Sequence, residues 1–391
     1  MNTVLVTSPV LQHAHQMALA LHERALLQGF WSGVPVIETG EAPPRWMPAR
    51  WRQRIRTIDI PRALRRHPAR FQATTRLARA LRLADSDNMH RIFHWFDAWA
   101  ARQVMRDRPQ VVVAYENAAF HTFRAAKAVG ARCVLDAAAL HHQAALELLG
   151  GFDTPYTPEI NRRKDEEVRL ADMILACSPL AAESYVANGV PSDKLHPLLL
   201  GAEPPRNTPE WQPSEGPLRF VFAGVLCLRK SIDLILAAFR RLHAEGLRYE
   251  LEFIGGVEDP VWIAEVAATP NARYRTNVPQ KELYAALAQA DCLLLPSRSD
   301  SFGMVVAEAM ACGTPAIVTT QTGAKAMIEN HPGSGWIVEP DADDLHDTLR
   351  GLIENPERVR AARPAARSAG QAFSWADYRE RAGRLLEDFV R

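Results

Sequence analysis

The sequence predicts an α/β protein made of two doubly wound domains, each a parallel sheet with helices on both faces. Short apolar runs of strand length alternate with helix-length segments along most of the 391 residues. Continuous apolar runs are typical of strands that are buried on both faces. The alternation stops at a polar segment near the middle of the chain and then starts again, so two sheets are expected rather than one.

The first half opens with a predicted strand, TVLVTS, followed by a helical pattern from Val10 that is expected to end at Gly29. A later helix has clear end signals: Ser178 as the N-cap, Pro179 at the first helical position and Gly189 at the end. Four further strands are predicted in this half, at 111–115, 132–137, 173–178 and 194–201.

The segment from Glu203 to Gly216 is rich in proline and polar residues and is the predicted linker. Strands and helices alternate again after it. Six strands are predicted there, at 218–224, 249–256, 272–278, 291–297, 314–320 and 335–340. Such sheets bind ligands beyond the carboxyl ends of their strands, so the cleft between the domains is the expected site.

Charge and composition indicate a globular protein without a nucleic-acid signature. The 46 basic and 45 acidic residues nearly cancel, so no nucleic-acid partner is expected. The five cysteines are scattered without CxxC spacing and are expected to be reduced, with neither disulfides nor a zinc site. The amino terminus lacks a charged leader, and no apolar run is long enough to span a membrane, so a cytoplasmic protein is expected.

Glu308 stands in the otherwise apolar segment DSFGMVVAEAMACG, which is predicted to form a short helix between two buried strands. A buried carboxylate without a partner is costly, so either an internal cation or a ligand is expected to pair with Glu308. The loop before this helix offers the backbone N–H groups of Gly303 and Met304 to a phosphate. Asp300 lies in the same loop and is expected to border the same pocket.

A second loop, GVLCLRK, begins at Gly224 and places Arg229 and Lys230 just before the next helix. Two cations near a helix start are suited to bind a diphosphate. Considered without its neighbours, an Arg-Lys pair is more often solvated surface.

The order of these pieces resembles the retaining, nucleotide-sugar-dependent glycosyltransferases of family four, which have the GT-B fold. That family has a glycine-containing loop ending in a basic residue, here Gly224 to Lys230, and then a strand ending in glycine, here LEFIGG. It also has the motif PSxxEGFGxxxxEAMAxGxP, here PSRSDSFGMVVAEAMACGTP. The resemblance is strong from about residue 165 to the end of the chain and weak before it.

The resemblance also implies a domain organisation. Residues 1–203 would form the acceptor-binding domain and residues 204–372 the nucleotide-sugar-binding domain. Residues 373–391 contain FSWADYRERAGRLLEDF, which is similar to the family's last helix, and this helix would cross back to the first domain.

The implied reaction moves a sugar with retention from a nucleotide-diphosphate sugar to a saccharide or lipid-linked saccharide, in the synthesis of a surface polysaccharide or glycolipid. No metal or other cofactor is implied. Glu308 would bind the ribose hydroxyls, Asp300 would contact the transferred sugar, and Arg229 with Lys230 would stabilise the leaving diphosphate. The rest of the implied donor site consists of Gly224, Val278, Ser301, Phe302, Gly303 and Met304.

The sequence departs from the family at four positions in these loops. Asp300 and Ser301 replace the usual Glu-Gly, Val225 replaces an arginine, and Ser231 replaces a glycine. The Asp300 side chain is one methylene shorter than Glu, which leaves the identity of the sugar open. Arg229 is expected to supply the charge that Val225 lacks.

Candidates in the first domain follow predicted strands. The family often has a histidine beside the sugar, and either His141 or His142 would fill this role unless both are ordinary helix residues. His13 and His15 have no third ligand in view, so a helix surface or an acceptor loop is expected for them rather than a metal. The acceptor-side candidates are Ser8, His13, Tyr115, Glu116 and Asn117. Loop capping explains the last three of them nearly as well.

Two other functions stay open from the sequence. One is a catalytically weak relative that serves as a binding partner of an active transferase. The other is a nucleotide-sugar epimerase or a phosphorylase on the same architecture, although no additional acid/base residues or pyridoxal-binding lysine are found in the sequence.

The stretch from Arg45 to Arg82 contains twelve arginines and a single acid, Asp59. Within it, residues 62–83 combine Arg with Leu and Phe at near-helical spacing, as in a helix that lies on an anionic membrane. A solvated helix in an arginine-rich chain is the competing interpretation. Peripheral contact with the inner face of the membrane is therefore one expectation for this segment.

Overall fold

The computed structural model describes residues 3–43, 56–68, 71, 86–149, 156–205, 207–213 and 216–391. Its strands, in chain order, are β1 (Val4–Ser8), β2 (Leu27–Ser32), β3 (Val36–Glu38), β4 (Arg56–Ile58), β5 (Arg65–Arg66), β6 (Val111–Tyr115), β7 (Arg132–Ala137), β8 (Met173–Ala176), β9 (Leu195–Pro197), β10 (Leu218–Ala223), β11 (Tyr249–Ile254), β12 (Ala272–Arg275), β13 (Cys292–Leu295), β14 (Ala316–Thr319) and β15 (Gly335–Val338).

The helices alternate with these strands. They are α1 (Ala14–Glu23), α2 (Ser86–Asp107), α3 (Phe120–Ala128), α4 (His142–Leu149), α5 (Thr157–Leu170), α6 (Pro179–Ala187), α7 (Ile232–Ala244), α8 (Val261–Ala267), α9 (Gln280–Gln289), α10 (Met304–Ala311), α11 (Lys325–Asn330), α12 (Ala342–Glu354), α13 (Glu357–Ala372) and α14 (Trp375–Val390).

Two parallel sheets organise the described chain. The first has the strand order β5-β2-β1-β6-β7-β8-β9, and the second has the order β12-β11-β10-β13-β14-β15. The central strands β1, β6, β10 and β13 are buried along almost their whole length, as their continuous apolar sequences predict. The two doubly wound domains predicted from the sequence are therefore confirmed.

The first helix is shorter than its sequence pattern predicted. It ends at Glu23, where Ala25 takes a left-handed conformation (φ 54°) and the Leu26 N–H donates to the Leu21 carbonyl. Gly29 lies inside β2, so its prediction as the helix stop was wrong. The strands β2 to β5 were not predicted, whereas each strand predicted from the sequence contains an observed strand.

The helix after β8 has the predicted ends. The Ser178 hydroxyl accepts a hydrogen bond from the Ala181 N–H at 3.0 Å, Pro179 opens the helix, and Gly189 follows its end with a φ of 83°.

The last helix packs back on the first domain, as the resemblance implied. Arg379 donates to Gln16 at 2.9 Å, and Arg24 forms an ion pair with Glu380 at 2.6 Å. A Cβ atom at Gly383 would lie 2.4 Å from Nη1 of Arg24, so this contact requires glycine or a displaced arginine. The first and last helices of the chain thereby lie against each other.

The basic stretch is described only in part. Residues 45–55 and 69–83, apart from Phe71, lie outside the described residues. A helix over residues 62–66 was wrongly expected, since a 3₁₀ turn and β5 occupy them. There Arg65 forms an ion pair with Glu41 at 3.0 Å, and Arg66 pairs with Asp107. No helix in the described ranges is long and apolar enough to cross a membrane.

Candidate functional site

A cavity of about 370 Å³ lies at the carboxyl ends of the second-sheet strands. Its walls come from the loops that follow β10, β11, β12 and β13 and from the first turns of α10. The polar and backbone groups that line it include those of Gly224, Lys230, Gly255, Val278, Asp300, Gly303, Met304 and Glu308. The two loops predicted to bind a donor are therefore neighbours in space.

Glycines allow the backbone of these loops to approach closely. A Cβ atom at Gly255 would lie 1.9 Å from the carbonyl oxygen of Gly224, and the Gly224 N–H donates to the Ile254 carbonyl at 2.9 Å. Gly303 has a φ of 91°, and a Cβ there would lie 2.8 Å from Leu295. These positions leave backbone, rather than side chain, at the surface of the pocket.

Gly303 is the N-cap of α10, and the first helical residues, Met304 and Val305, line the same cavity. The N–H groups of a first helical turn have no partner within the helix and carry partial positive charge. This end of the cavity is suited to an anion because several donors converge there.

Glu308 lies one turn further along α10 and also lines the cavity. It is half-buried, and it forms no ion pair or hydrogen bond with any described residue. Burial raises the pKa of Glu308 to about 7. Of the two partners expected from the sequence, an internal cation is not found among the described residues, and the ligand stays a prediction.

Lys230 and Asp300 form an ion pair between Nζ and Oδ2 at the edge of the cavity. Both side chains are nearly buried, with exposed fractions of 13% and 12%. Arg229 behaves differently: it donates to the Ser299 carbonyl at 3.0 Å and does not line the cavity. The structure therefore brings Lys230, Asp300 and Glu308 together but leaves the Arg229 side chain outside.

Ser231 adopts a left-handed conformation, with φ 57° and ψ 38°, between a 3₁₀ turn and α7. The related family has glycine at this position, and the structure shows why, since glycine takes this conformation without steric cost. The Ser231 hydroxyl is buried and has no hydrogen-bond partner among the residues that the structure describes.

Ser301 connects the donor loop to the first domain. Its hydroxyl accepts a hydrogen bond from the Leu140 N–H at 2.9 Å, and its carbonyl accepts one from the Ser178 hydroxyl at 2.6 Å. The neighbouring Phe302 is buried, and its carbonyl accepts the Ala324 N–H at 2.6 Å. Neither side chain lines the cavity; they hold the loop in place.

His13 was expected on a helix surface or in an acceptor loop. It is buried in the loop between β1 and α1, so the helix surface was wrong and the acceptor role stays a prediction. Its Nε2 lies 2.8 and 3.0 Å from the two carboxylate oxygens of Asp136, at the end of β7. Burial alone would lower the pKa of His13, but the Asp136 carboxylate outweighs it and the pKa is raised. Asp136 was not predicted as a partner, although an acid at the end of a strand sequence, RCVLDA, was a usable signal.

Tyr115 and Glu116 lie beside this pair. The Tyr115 hydroxyl donates to Gln12 at 2.7 Å, and Glu116 is buried. Burial raises the pKa of Glu116. Together with His13 and Asp136 they form a buried polar cluster at the carboxyl ends of the first-sheet strands.

Asn117 and Ser8 have structural partners. Asn117 has a left-handed backbone with a φ of 61°, and its N–H donates to Glu167 at 2.6 Å. Its side chain contacts His90 and accepts a hydrogen bond from His94 at 3.2 Å. The Ser8 hydroxyl donates to the Val10 carbonyl at 2.7 Å. These contacts agree with loop capping, the alternative that the sequence left open for Asn117.

His141 and His142 lie at the start of α4, directly after the Leu140 that contacts the donor loop. Their rings lie 4.4 Å apart with an interplanar angle of 31°. The His141 N–H donates to Ser184 at 2.9 Å, and Nε2 of His142 lies 3.2 Å from Asp165. Both histidines are therefore near the contact between the domains.

A second cavity, of about 380 Å³, lies along β10 to β12 and α9. Three of its charged residues compensate one another: Glu252 pairs with Arg273 at 3.1 Å and with Arg275 at 3.4 Å. Volume does not distinguish the two cavities. The half-buried carboxylate that no described residue pairs with, the glycine loops and the helix N-terminus favour the cavity of Glu308.

Comparisons with known proteins find relatives of part of the sequence and of the whole fold. Residues 205–369 match the sequence profile of a family described as glycosyl transferases group 1. A D-inositol 3-phosphate glycosyltransferase from Catenulispora acidiphila is 30% identical over 171 residues, which is 40% of this chain and 41% of that protein. Sucrose-phosphate synthase from Thermosynechococcus elongatus has a TM-score of 0.67 at 16% identity over 99% of both chains. HepE from Anabaena, solved with UDP and glucose, has a TM-score of 0.66 at 12% identity over 99% of this chain and 100% of that chain.

The structural likeness confirms the GT-B fold that the sequence resemblance implied. The sequence alignments reach less far, because those to the first three curated relatives cover only 41%, 56% and 53% of the relatives' own length.

We expect Ser231→Gly to raise the free energy of unfolding by about 1 kcal/mol, because it relieves a left-handed residue and removes an unpaired buried hydroxyl. Denaturant unfolding of the two proteins measures this difference. Ser231→Ala is the matched control, since it removes the hydroxyl but keeps the Cβ atom. Greater stability of Ser231→Ala than of Ser231→Gly would contradict the backbone explanation.

Proposed function

We propose, from the match of residues 205–369 to the family described as glycosyl transferases group 1, that this chain is a glycosyltransferase. It transfers a sugar from a nucleotide-diphosphate sugar to a hydroxyl of a saccharide or a lipid-linked saccharide, with retention at the anomeric carbon. The observation that carries the proposal is Glu308, a half-buried carboxylate without a partner among the described residues, in one cavity with Lys230 and a helix N-terminus.

In the proposed complex, Glu308 binds the ribose of the donor. Each carboxylate oxygen accepts hydrogen bonds, so one carboxylate can accept from two neighbouring hydroxyls. Burial makes this carboxylate costly without such donors, as its raised pKa of about 7 reflects. The nucleotide therefore supplies hydrogen bonds that the described protein does not.

Lys230 and the N-terminus of α10 bind the diphosphate. Lys230 pairs with Asp300 in the structure. When a diphosphate binds, Lys230 moves to the phosphate oxygens, and the Asp300 carboxylate becomes available to hydroxyls of the transferred sugar. The same ion pair keeps the Asp300 charge from repelling the entering phosphate.

Catalysis in this proposal is electrostatic. The C–O bond between the sugar and the diphosphate breaks, and the charge that develops on the leaving diphosphate is stabilised by Lys230 and by the first N–H groups of α10. The leaving diphosphate then helps to take the proton from the attacking hydroxyl on the same face of the sugar. These steps use only groups of this chain and its substrates, without a metal.

The acceptor is proposed to bind on the first-domain side of the cleft. A cytoplasmic enzyme with a lipid-linked acceptor would work at the inner face of the membrane, which the twelve arginines between Arg45 and Arg82 support. Arg65 and Arg66 already pair with acids of the domain and contribute less to such a contact. Sedimentation with anionic vesicles at low and high salt tests this association; no binding at low salt would favour a soluble acceptor.

Donor hydrolysis tests the activity directly. The purified chain is incubated with a panel of uridine, guanosine and adenosine diphosphate sugars, starting with UDP-glucose, and release of the nucleoside diphosphate is measured. NMR of the released sugar reports its first-formed anomer, and retention is expected. Donor binding without turnover on any acceptor would indicate a binding partner, and an epimerised sugar would indicate an epimerase.

Lys230→Ala should raise the barrier to transfer by about 2 to 4 kcal/mol, or roughly 30- to 1,000-fold in kcat, because a charge-assisted contact to the leaving group is lost. Arg229→Ala should cost less than about tenfold, since Arg229 lies outside the cavity. Steady-state kinetics compares both with Lys281→Ala, an exposed control on α9. Equal losses in the two loop variants would contradict the assignment to Lys230 alone.

A further inference from the structure

His141, His142 and Asp165 form a cluster of metal-ligand side chains next to the contact between the domains. Each offers one ligand atom, and these atoms all lie within 4.8 Å of one another. The histidines lie at the start of α4, whereas Asp165 comes from α5. We propose that this cluster binds a divalent first-row transition-metal ion, with Zn²⁺ as the best-suited ion.

The spacing of the ligand atoms suits such an ion. Zn²⁺ binds nitrogen and carboxylate oxygen at about 2.0 to 2.2 Å, which places two ligands of a tetrahedral site about 3.3 to 3.5 Å apart. Nε2 of His142 lies 3.2 Å from Oδ1 of Asp165. Only a small adjustment is therefore needed to place an ion between them.

The Nε2 atom of His142 is the second observation that points to a ligand. His142 is only 8% exposed, and its buried Nε2 forms no hydrogen bond with a described group, because the Asp165 oxygen 3.2 Å away does not have hydrogen-bond geometry. A buried polar atom without a hydrogen bond is costly, so it is rarely left without a partner. A metal ion at its lone pair would satisfy it.

The ligand types select the class of ion. Two imidazole nitrogens and one carboxylate oxygen suit Zn²⁺ and its neighbours, whereas Mg²⁺ and Ca²⁺ prefer sites made only of oxygen. The Lys164 charge opposes a cation, and the Asp165 carboxylate offsets it.

The site is open on one side. The Asp165 side chain is 60% exposed, while the two histidines are buried behind it. An ion can therefore enter from solvent, and a fourth position is accessible to water. The cluster contains none of the residues that the proposed transfer reaction uses. The family resemblance implied that one of the two histidines contacts the sugar, and metal binding is a different role for them.

Metal binding would position the first-domain side of the cleft. The ion links α5 to the start of α4, one residue after Leu140, whose N–H donates to Ser301 of the donor loop. Bound metal thereby restrains a segment that touches the donor loop, without contacting the leaving diphosphate. His141 and His142 act in this arrangement as ligands rather than as groups that contact the sugar.

Cobalt binding tests the proposal without reference to activity. The metal-stripped full chain is titrated with Co²⁺, and one equivalent should give the strong visible absorption of a four-coordinate site, which Zn²⁺ then removes. Asp165→Asn and His142→Ala should weaken binding by at least about tenfold. The exposed control variants Asp193→Asn and His243→Ala should bind like the original chain.

Asp165→Asn is the decisive variant, because its exposed side chain makes a folding defect improbable, and circular dichroism verifies the fold. Zn²⁺ should raise the melting temperature of the original chain but not of Asp165→Asn. Equal Co²⁺ binding by the original chain, Asp165→Asn and the controls would overturn the proposal, as would binding with only weak six-coordinate absorption. Donor hydrolysis is measured separately, so either proposal can fail without the other.

Discussion

The parallel direction of every strand pair in the two large sheets is the constraint on which the site depends. Parallel strands end at one edge, so all the loops that follow them meet there. In the second sheet this brings together the loops of Gly224, Gly255 and Asp300, which are far apart in sequence. In the first sheet it brings together His13, Glu116 and other polar groups. The last helix and the Ser301 contacts then hold the two edges against each other.

Charge in the donor cavity is arranged in two different ways. Lys230 and Asp300 neutralise each other, so neither leaves a buried charge uncompensated. Glu308 has no such partner in the part of the chain that the structure describes, and burial makes it keep its proton more easily than a solvated carboxyl does. Such a site can bind an anionic ligand with hydroxyl groups. Lys230 can exchange Asp300 for the anion of the ligand, and the Glu308 carboxylate can accept hydrogen bonds from its hydroxyls.

The sequence predicted local patterns better than long-range contacts. Alternating apolar runs and the motif around Glu308 located most strands and the donor cavity, because these signals lie within short segments. The end of α1 was missed because Ala25, not Gly29, takes the left-handed conformation there. The His13 pair with Asp136 joins residues 123 positions apart, and its one local signal, the acid at the end of RCVLDA, does not indicate which residue it pairs with. Arg229 was predicted to line the cavity because it is next to Lys230 in the sequence. The 3₁₀ turn directs its side chain to Ser299 instead, and the sequence did not indicate that turn.

Proton release on nucleotide binding tests the central claim, that Glu308 is the ribose ligand, most directly. With a pKa of about 7, Glu308 is half protonated near neutral pH, and binding that requires the carboxylate must release up to about half a proton at pH 7. Calorimetric titration with a nucleoside diphosphate in buffers of different ionisation enthalpy measures the number of protons released. The phosphate groups can also exchange protons, and comparison with Glu308→Gln separates their contribution from that of Glu308. The account predicts weaker binding and fewer released protons for Glu308→Gln. Equal affinity and equal proton release in the two proteins would contradict it.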